Sequence, residues 1–201
     1  MTVYFAVEGR TDIPIAQRLI QLVGLRAQQA VVAGSKSKLD PRVRKLNRSA
    51  AQLNWLVLRD LDHDAPCASE LVGNLFGADT RASRLALRIP VRTMESWLLA
   101  DREGFARDFS VSLHHVPDNP DRLANPKQSL VNLCRRSRRA EIRDAIVPRE
   151  GSGRHVGPEY TDRISAFARE TWRPDTASSC SPSLRRALKA LQRLVDDGIW
   201  S

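Results

Sequence analysis

Residues Trp55-Leu56-Val57-Leu58-Arg59-Asp60-Leu61-Asp62 (WLVLRDLD) decide how this chain is read. The apolar run WLVL reads as a short buried strand. Two carboxylates follow it directly. On an extended segment Asp60 and Asp62 point to one side while Leu61 points away into the fold. Like charges so placed repel, and the arrangement is costly without a cation.

Upstream, Thr2–Val7 (TVYFAV) is β-prone and almost continuously apolar, as expected of a strand covered on both faces, and Glu8-Gly9 sits at its carboxyl end. Thr11 reads as a helix N-cap and Asp12 suits the positive end of that helix. Pro14 lies in the first turn, and Ile15, Leu19, Leu22 and Val23 give a helical stripe that stops at Gly24. The unit recurs. Gln28–Ala33 reads as a strand, Gly34–Lys38 as a loop and Pro41–Leu53 as a polar helix. After the decisive segment come a helix over Ala68–Phe76 and a fourth strand, Leu85–Ile89, ended by Pro90. Strands alternating with helices predict an α/β fold of Rossmann-like type: a mostly parallel four-stranded sheet flanked by helices, joined by right-handed crossovers. Ligands of such sheets bind outside the carboxyl ends of the strands. Glu8 and the Asp60 group both fall there.

Beyond residue 92 the pattern changes to helix and loop. Helices are expected over Thr93–Phe105, Gln128–Ile146 and Glu159–Thr171, with a glycine-rich loop at Gly151–Gly157. Ser181 and Pro182 open a last amphipathic helix carrying Leu184, Leu188, Leu191 and Val195. The expected organisation is a metal-binding α/β domain over residues 1–105 and a helical extension packed on it over 106–201. No solenoid repeat or low-complexity tract interrupts it.

The net charge of +9 and the isoelectric point near 10.3 suit a polyanionic partner, because neutralised phosphates release their counterions. An arginine-rich composition accounts for the same charge without any partner. The basic run Arg135, Arg136, Arg138, Arg139 and Arg143, read as one helix, places several guanidinium groups on one face, a surface that could track a nucleic-acid backbone. Lys36 and Lys38, in the loop after the second strand, open on the same sheet edge as the acids. No apolar run approaches the ~20 residues of a membrane span. The three cysteines, Cys67, Cys134 and Cys180, lack metal-ligand or disulfide spacing, so the expectation is a reduced, cytoplasmic protein.

Carboxylates at strand ends suit Mg²⁺ or Mn²⁺, which keep waters and accept phosphate oxygens; Zn²⁺ would want cysteine or histidine. Each residue also has a plainer reading. A solvated loop explains Asp60 and Asp62, a helix dipole explains Asp12, and an exposed helix face explains Glu95. Lys127, His63, Asp64, Arg154 and His155 can be ordinary surface groups.

Val7-Glu8-Gly9-Arg10-Thr11-Asp12, followed about fifty residues later by an apolar strand and Asp60-Leu61-Asp62, resembles the Toprim domain of primases, topoisomerases, ribosomal-RNA maturation ribonucleases and OLD-family nucleases. The segment Ile89–Leu99 looks like the OLD-type stretch in which a hydroxyl residue and a glutamate two positions later complete a second metal site. The whole chain, with Asn125-Pro126-Lys127 and Ser181-Pro182-Ser183-Leu184, further resembles an uncharacterised prokaryotic Toprim-like family often encoded beside AAA-type ATPases. That resemblance implies Glu8, Asp12 and Asp60 around one metal, Asp62, Thr93 and Glu95 around another, and Lys127 as a transition-state cation. It departs in having Thr93 where serine is usual.

The implied activity is Mg²⁺- or Mn²⁺-dependent hydrolysis of DNA or RNA phosphodiesters by one or two metals, with Glu8, Asp60, Asp62 and Lys127 in catalytic roles and Lys36, Lys38, Arg135 and Arg139 on nucleic acid. The resemblance also suggests an effector of an ATPase-linked anti-phage defence system. A non-catalytic subunit binding an AAA-type ATPase is the alternative. The chain has no Walker-type phosphate loop of its own. A phosphatase is less favoured, since a nucleophilic D-x-D is expected after the first strand. A topoisomerase is disfavoured because only Tyr4 and Tyr160 could serve as nucleophiles.

Overall fold

The computed structural model describes residues 1–200. Its first half alternates β1 (Thr2–Val7), α1 (Asp12–Leu22), β2 (Arg26–Val32), α2 (Lys36–Ser49), β3 (Trp55–Leu58), α3 (Ala68–Phe76) and β4 (Leu85–Arg88). Helices then follow without further strands: α4 (Glu95–Ala100), α5 (Arg102–Asp108), α6 (Pro126–Cys134), α7 (Ala140–Ile146), α8 (Tyr160–Glu170), α9 (Pro174–Ala177) and α10 (Pro182–Asp196).

The sheet has the order β2-β1-β3-β4 and every pairing is parallel, giving the Rossmann-like α/β architecture. The chain leaves β1 to one side and returns to lay β3 on the other. The switch point therefore falls between the carboxyl ends of β1 and β3, the place where such sheets bind ligands.

Period-two alternation divides the core. Phe5, Leu56 and Ala86 face a layer made by α1 and the C-terminal helices, whereas Ala6, Val57 and Leu87 face α2 and α3. All of α4 is buried, within the layer made by α1 and the C-terminal helices. The Trp97 indole donates to Ser183 Oγ at 2.7 Å and the Trp172 indole to the Trp97 carbonyl at 3.1 Å, so α9 and α10 are pinned to α4. A single apolar cluster thus runs from β1 to Trp200, and position 105 falls inside α5.

Several local expectations are corrected. Thr11 precedes α1 but makes no capping bond: its own backbone is already helical at φ −61°, and its hydroxyl donates to the Asp12 carboxylate, whose other oxygen accepts the Gly9 amide at 2.8 Å. The second helix begins at Lys36, not Pro41, and carries Pro41 as an interior residue that forgoes the bond an amide would make to the Ser37 carbonyl. The span 93–105 breaks at Asp101, whose carboxylate caps α5 through the Gly104 amide. The span 128–146 breaks too. Cys134 and Ala140 are separated by an irregular link in which the Ser137 hydroxyl bonds the Phe109 carbonyl and the Arg138 amide bonds the Ser110 carbonyl. The arginine run consequently does not lie on one helix face. Among the described residues no helix is long and apolar enough to cross a membrane.

Candidate acidic site at the sheet switch point

Pairing of β3 with β4 runs on past the strand ends: the amides of Arg59 and Leu61 donate to the carbonyls of Arg88 and Pro90. Leu61 is buried against the α2–α3 layer, as alternation requires. Asp62, expected on an extended segment, instead takes φ 47°, facing Arg92 at φ 68°. The Asp62 amide donates to the Arg92 carbonyl at 2.8 Å, and the Arg92 guanidinium returns a bond to the Asp62 carbonyl at 2.6 Å. Left-handed backbone at a non-glycine residue is uncommon, and this reciprocal pairing holds it in place.

Glu8, directly after β1, accepts the Asp60 amide on Oε1 at 2.9 Å. Asp60 accepts the Met94 amide on Oδ1 at 3.0 Å, which brings the β4–α4 turn into the site. Glu95, at the start of α4 and only 5% exposed, accepts the Tyr160 hydroxyl at 2.8 Å and lies 3.3 Å from Lys127 Nζ, both on Oε1. Asp62 holds Lys36 Nζ on Oδ2 at 3.0 Å. The pattern repeats. Glu8, Asp60, Asp62 and Glu95 are each fixed through one oxygen, and the other oxygen of each takes no hydrogen bond from the protein. Asp12 is the exception, using Oδ2 for the Gly9 amide and Oδ1 for the Thr11 hydroxyl.

Electrostatics show how closely these groups face one another. Burial pushes the Glu8 carboxyl up to about 7; the Asp60 amide and Arg59 oppose the rise, while Asp62 and Asp12 add to it. Burial and then the charge of Glu95 push Asp12 up to about 6. Asp60 rises well above the carboxylate range through burial and the charges of Asp12, Glu95, Glu8 and Asp62. Lys127 is held above its ordinary value despite burial, because Glu95, Asp60 and Asp12 face its ammonium. The Thr93 hydroxyl, in the turn beside Met94, is buried without any partner.

Sequence reasoning passed over Arg59. It is 2% exposed and lies on the same side of the strand run as Val57 and Leu61, where it meets Asp40 at 2.9 Å, Asp64 at 2.7 Å and Glu8 at 3.6 Å. Burial disfavours its charge, but the bonds from Asp40 and Asp64 outweigh that and raise its pKa. The signal was present: period-two alternation from Val57 puts position 59 inside, and a buried guanidinium requires anions. The sequence offers Tyr160 only as a candidate nucleophile. Its hydroxyl is buried on Glu95 and its pKa is raised by burial and by that carboxylate, so it is a hydrogen-bond donor.

Of the basic groups expected to meet nucleic acid, Lys36 is occupied by Asp62 and Asp64, and Arg139 pairs with Glu141 at 2.8 Å. Lys38 and Arg135 are exposed and make no ion pair among the described residues. His63 lies beside Arg92 on the surface, and His155 is exposed in the glycine-rich loop. Among the described residues no three acidic, histidine or cysteine side chains converge as they stand into a ready-made chelate. The donor set nonetheless fits a hard divalent cation, since it offers free carboxylate oxygens from three loops and an orphaned buried hydroxyl. Compared with protein-family models, curated proteins and solved structures, the chain finds no match.

Proposed function

We propose that this protein is a Toprim-like, Mg²⁺- or Mn²⁺-dependent nuclease that hydrolyses nucleic-acid phosphodiesters. The observation carrying this reading is the half-anchored carboxylate set at the switch point: Glu8, Asp60, Asp62 and Glu95 each keep one oxygen unbonded. Ion pairing accounts for one oxygen of Glu8, Asp62 and Glu95, which meet Arg59, Lys36 and Lys127, but not for the second oxygen of each or for Asp60, which makes no ion pair among the described residues. Divalent metal bound by those oxygens, with Asp12 and Thr93 beside them, would supply Lewis acidity and a water activated for attack on phosphorus.

The chain's own residues would do the rest. Backbone bonds from Asp60 to Glu8 and from Met94 to Asp60 fix two carboxylates before substrate arrives, so little reorganisation is needed at the moment of reaction. Tyr160 orients Glu95 from its buried side. Lys127, at the first turn of α6 and half-exposed, presents its ammonium toward Glu95, Asp60 and Asp12, where negative charge on a phosphoryl oxygen would be stabilised.

The test incubates the protein and Asp60→Asn with supercoiled DNA, single-stranded DNA and structured RNA in Mg²⁺, Mn²⁺ or chelator. Metal-dependent cutting that Asp60→Asn abolishes is expected. Absence of cutting on every substrate, or equal cutting by the variant, overturns the reading.

A further inference from the structure

Away from the acids, the link between α7 and α8 is a loop whose ends are tied together. The Gly157 amide donates to the Ile146 carbonyl at 2.8 Å, and the Glu159 amide to the Ala145 carbonyl at 3.0 Å. A Cβ at Gly157 would sit 2.4 Å from the Ala145 oxygen, so only glycine permits this closure. Two cavities flank the loop, one of about 470 Å³ bounded by Arg149 and Arg154, the other of about 340 Å³ bounded by Arg135 and Arg143. They share Pro148 and Arg149 and so adjoin, a pair of hollows side by side that together make up a groove.

The groove is strongly cationic. None of its four arginines makes an ion pair among the described residues, and Asp144 is the one carboxylate on its walls. Three of the four are exposed, and Arg143 is half-buried with one nitrogen on the Ser137 carbonyl. Unpaired guanidinium groups spaced along a groove, with no aromatic side chain or deep apolar pocket among them, suit a ligand carrying repeated phosphates. Its position connects it with the acids. Helix α6 has Lys127 in its first turn and Arg135 just past its end, about 12 Å away along the helix axis. Pro158 on the groove wall is two residues from Tyr160, whose hydroxyl reaches Glu95.

The geometry points to this groove, lined by Arg135, Arg143, Arg149 and Arg154, as a track for the phosphodiester backbone of a nucleic-acid strand leading to the acidic site. The destination of the strand rests on the nuclease reading; the binding does not. It also moves the nucleic-acid contact away from Lys36 and Arg139, whose charges are spent on neighbouring carboxylates.

The test measures anisotropy of a labelled single strand of about 20 nucleotides, as DNA and as RNA, on the full chain in chelator so that nothing is cut. Arg149→Glu/Arg154→Glu is compared with Arg42→Glu/Lys45→Glu, an equal charge reversal at exposed positions of α2. The groove variant is expected to bind at least ~10-fold more weakly, with a salt slope shallower by about 0.7 per lost phosphate contact, and the α2 variant to change little. Matching melting curves confirm that both are folded. Equal weakening by the two variants, or no weakening by the groove variant, overturns the proposal. Because binding is read without metal, this result stands apart from the cleavage assay: loss of the track leaves the Asp60→Asn comparison intact, and the reverse holds too.

Discussion

Glu8 and Asp60, 52 positions apart, are joined by one hydrogen bond of 2.9 Å from the Asp60 amide to Glu8 Oε1. That bond bridges the carboxyl ends of the two central strands and fixes the separation of the acids on either side of the switch point. It uses a main-chain donor. The Asp60 side chain is left to accept from Met94, and one oxygen of each carboxylate stays open.

The cluster should make the metal-free protein less stable as pH rises. Glu8 has its folded pKa raised from 4.5 to about 7 and Asp12 from 3.8 to about 6, so the folded state holds protons that the unfolded state has released. Stability is then lost progressively from about pH 4 as the pH rises through the folded values of Asp12 and Glu8, and Asp60, raised by burial and by its acidic neighbours, adds to the loss. For Glu8 alone the effect is on the order of 3 kcal/mol. Melting curves in chelator at pH 5 and pH 8 check this, and a melting temperature no lower at pH 8 refutes it. Mg²⁺ or Mn²⁺ should raise the melting temperature more at pH 8 than at pH 5, where protons compete for the same oxygens.

Arg59→Ala should destabilise the fold by about 3–5 kcal/mol, because it strands Asp40, Asp64 and Glu8 around a buried void. Urea unfolding reads the loss directly. The double variant Arg59→Leu/Asp40→Leu should lose less than the sum of the two single changes, since the pair is removed together.

Lys127→Met should lower the cleavage rate about 10²–10³-fold, the usual cost of one group that stabilises transition-state charge. It should leave the metal-induced melting shift in place, as Lys127 donates no metal ligand. Single-turnover kinetics with saturating substrate make the test; an unchanged rate removes Lys127 from the mechanism.

Gly157→Ala should destabilise the loop base by about 1–3 kcal/mol, since the added methyl meets the Ala145 carbonyl, a backbone atom that cannot swing aside. Hydrogen exchange of the Gly157 and Glu159 amides should accelerate, and unchanged protection would show that the closure tolerates a side chain.

Strand and helix signals that depend on near neighbours were legible in the chain itself. Trp55–Leu58 and Ala68–Phe76 fall where apolarity and turn residues put them, and Ser181 caps the last helix through the Leu184 amide. Parallel alternation also follows from the order of the segments, which by itself places Glu8 and Asp60 at strand ends. Tertiary contacts decided the rest. The order β2-β1-β3-β4 makes Glu8 and Asp60 flank the switch point, and α8 returns Tyr160 to Glu95 across 65 positions. The break between Cys134 and Ala140 depends on Ser110 and Phe109, and the burial of Arg59 on Asp40. Local periodicity reports the free energy of a segment against its immediate neighbours. Which distant groups will neutralise a buried charge or capture a stray amide is fixed only when the chain closes on itself.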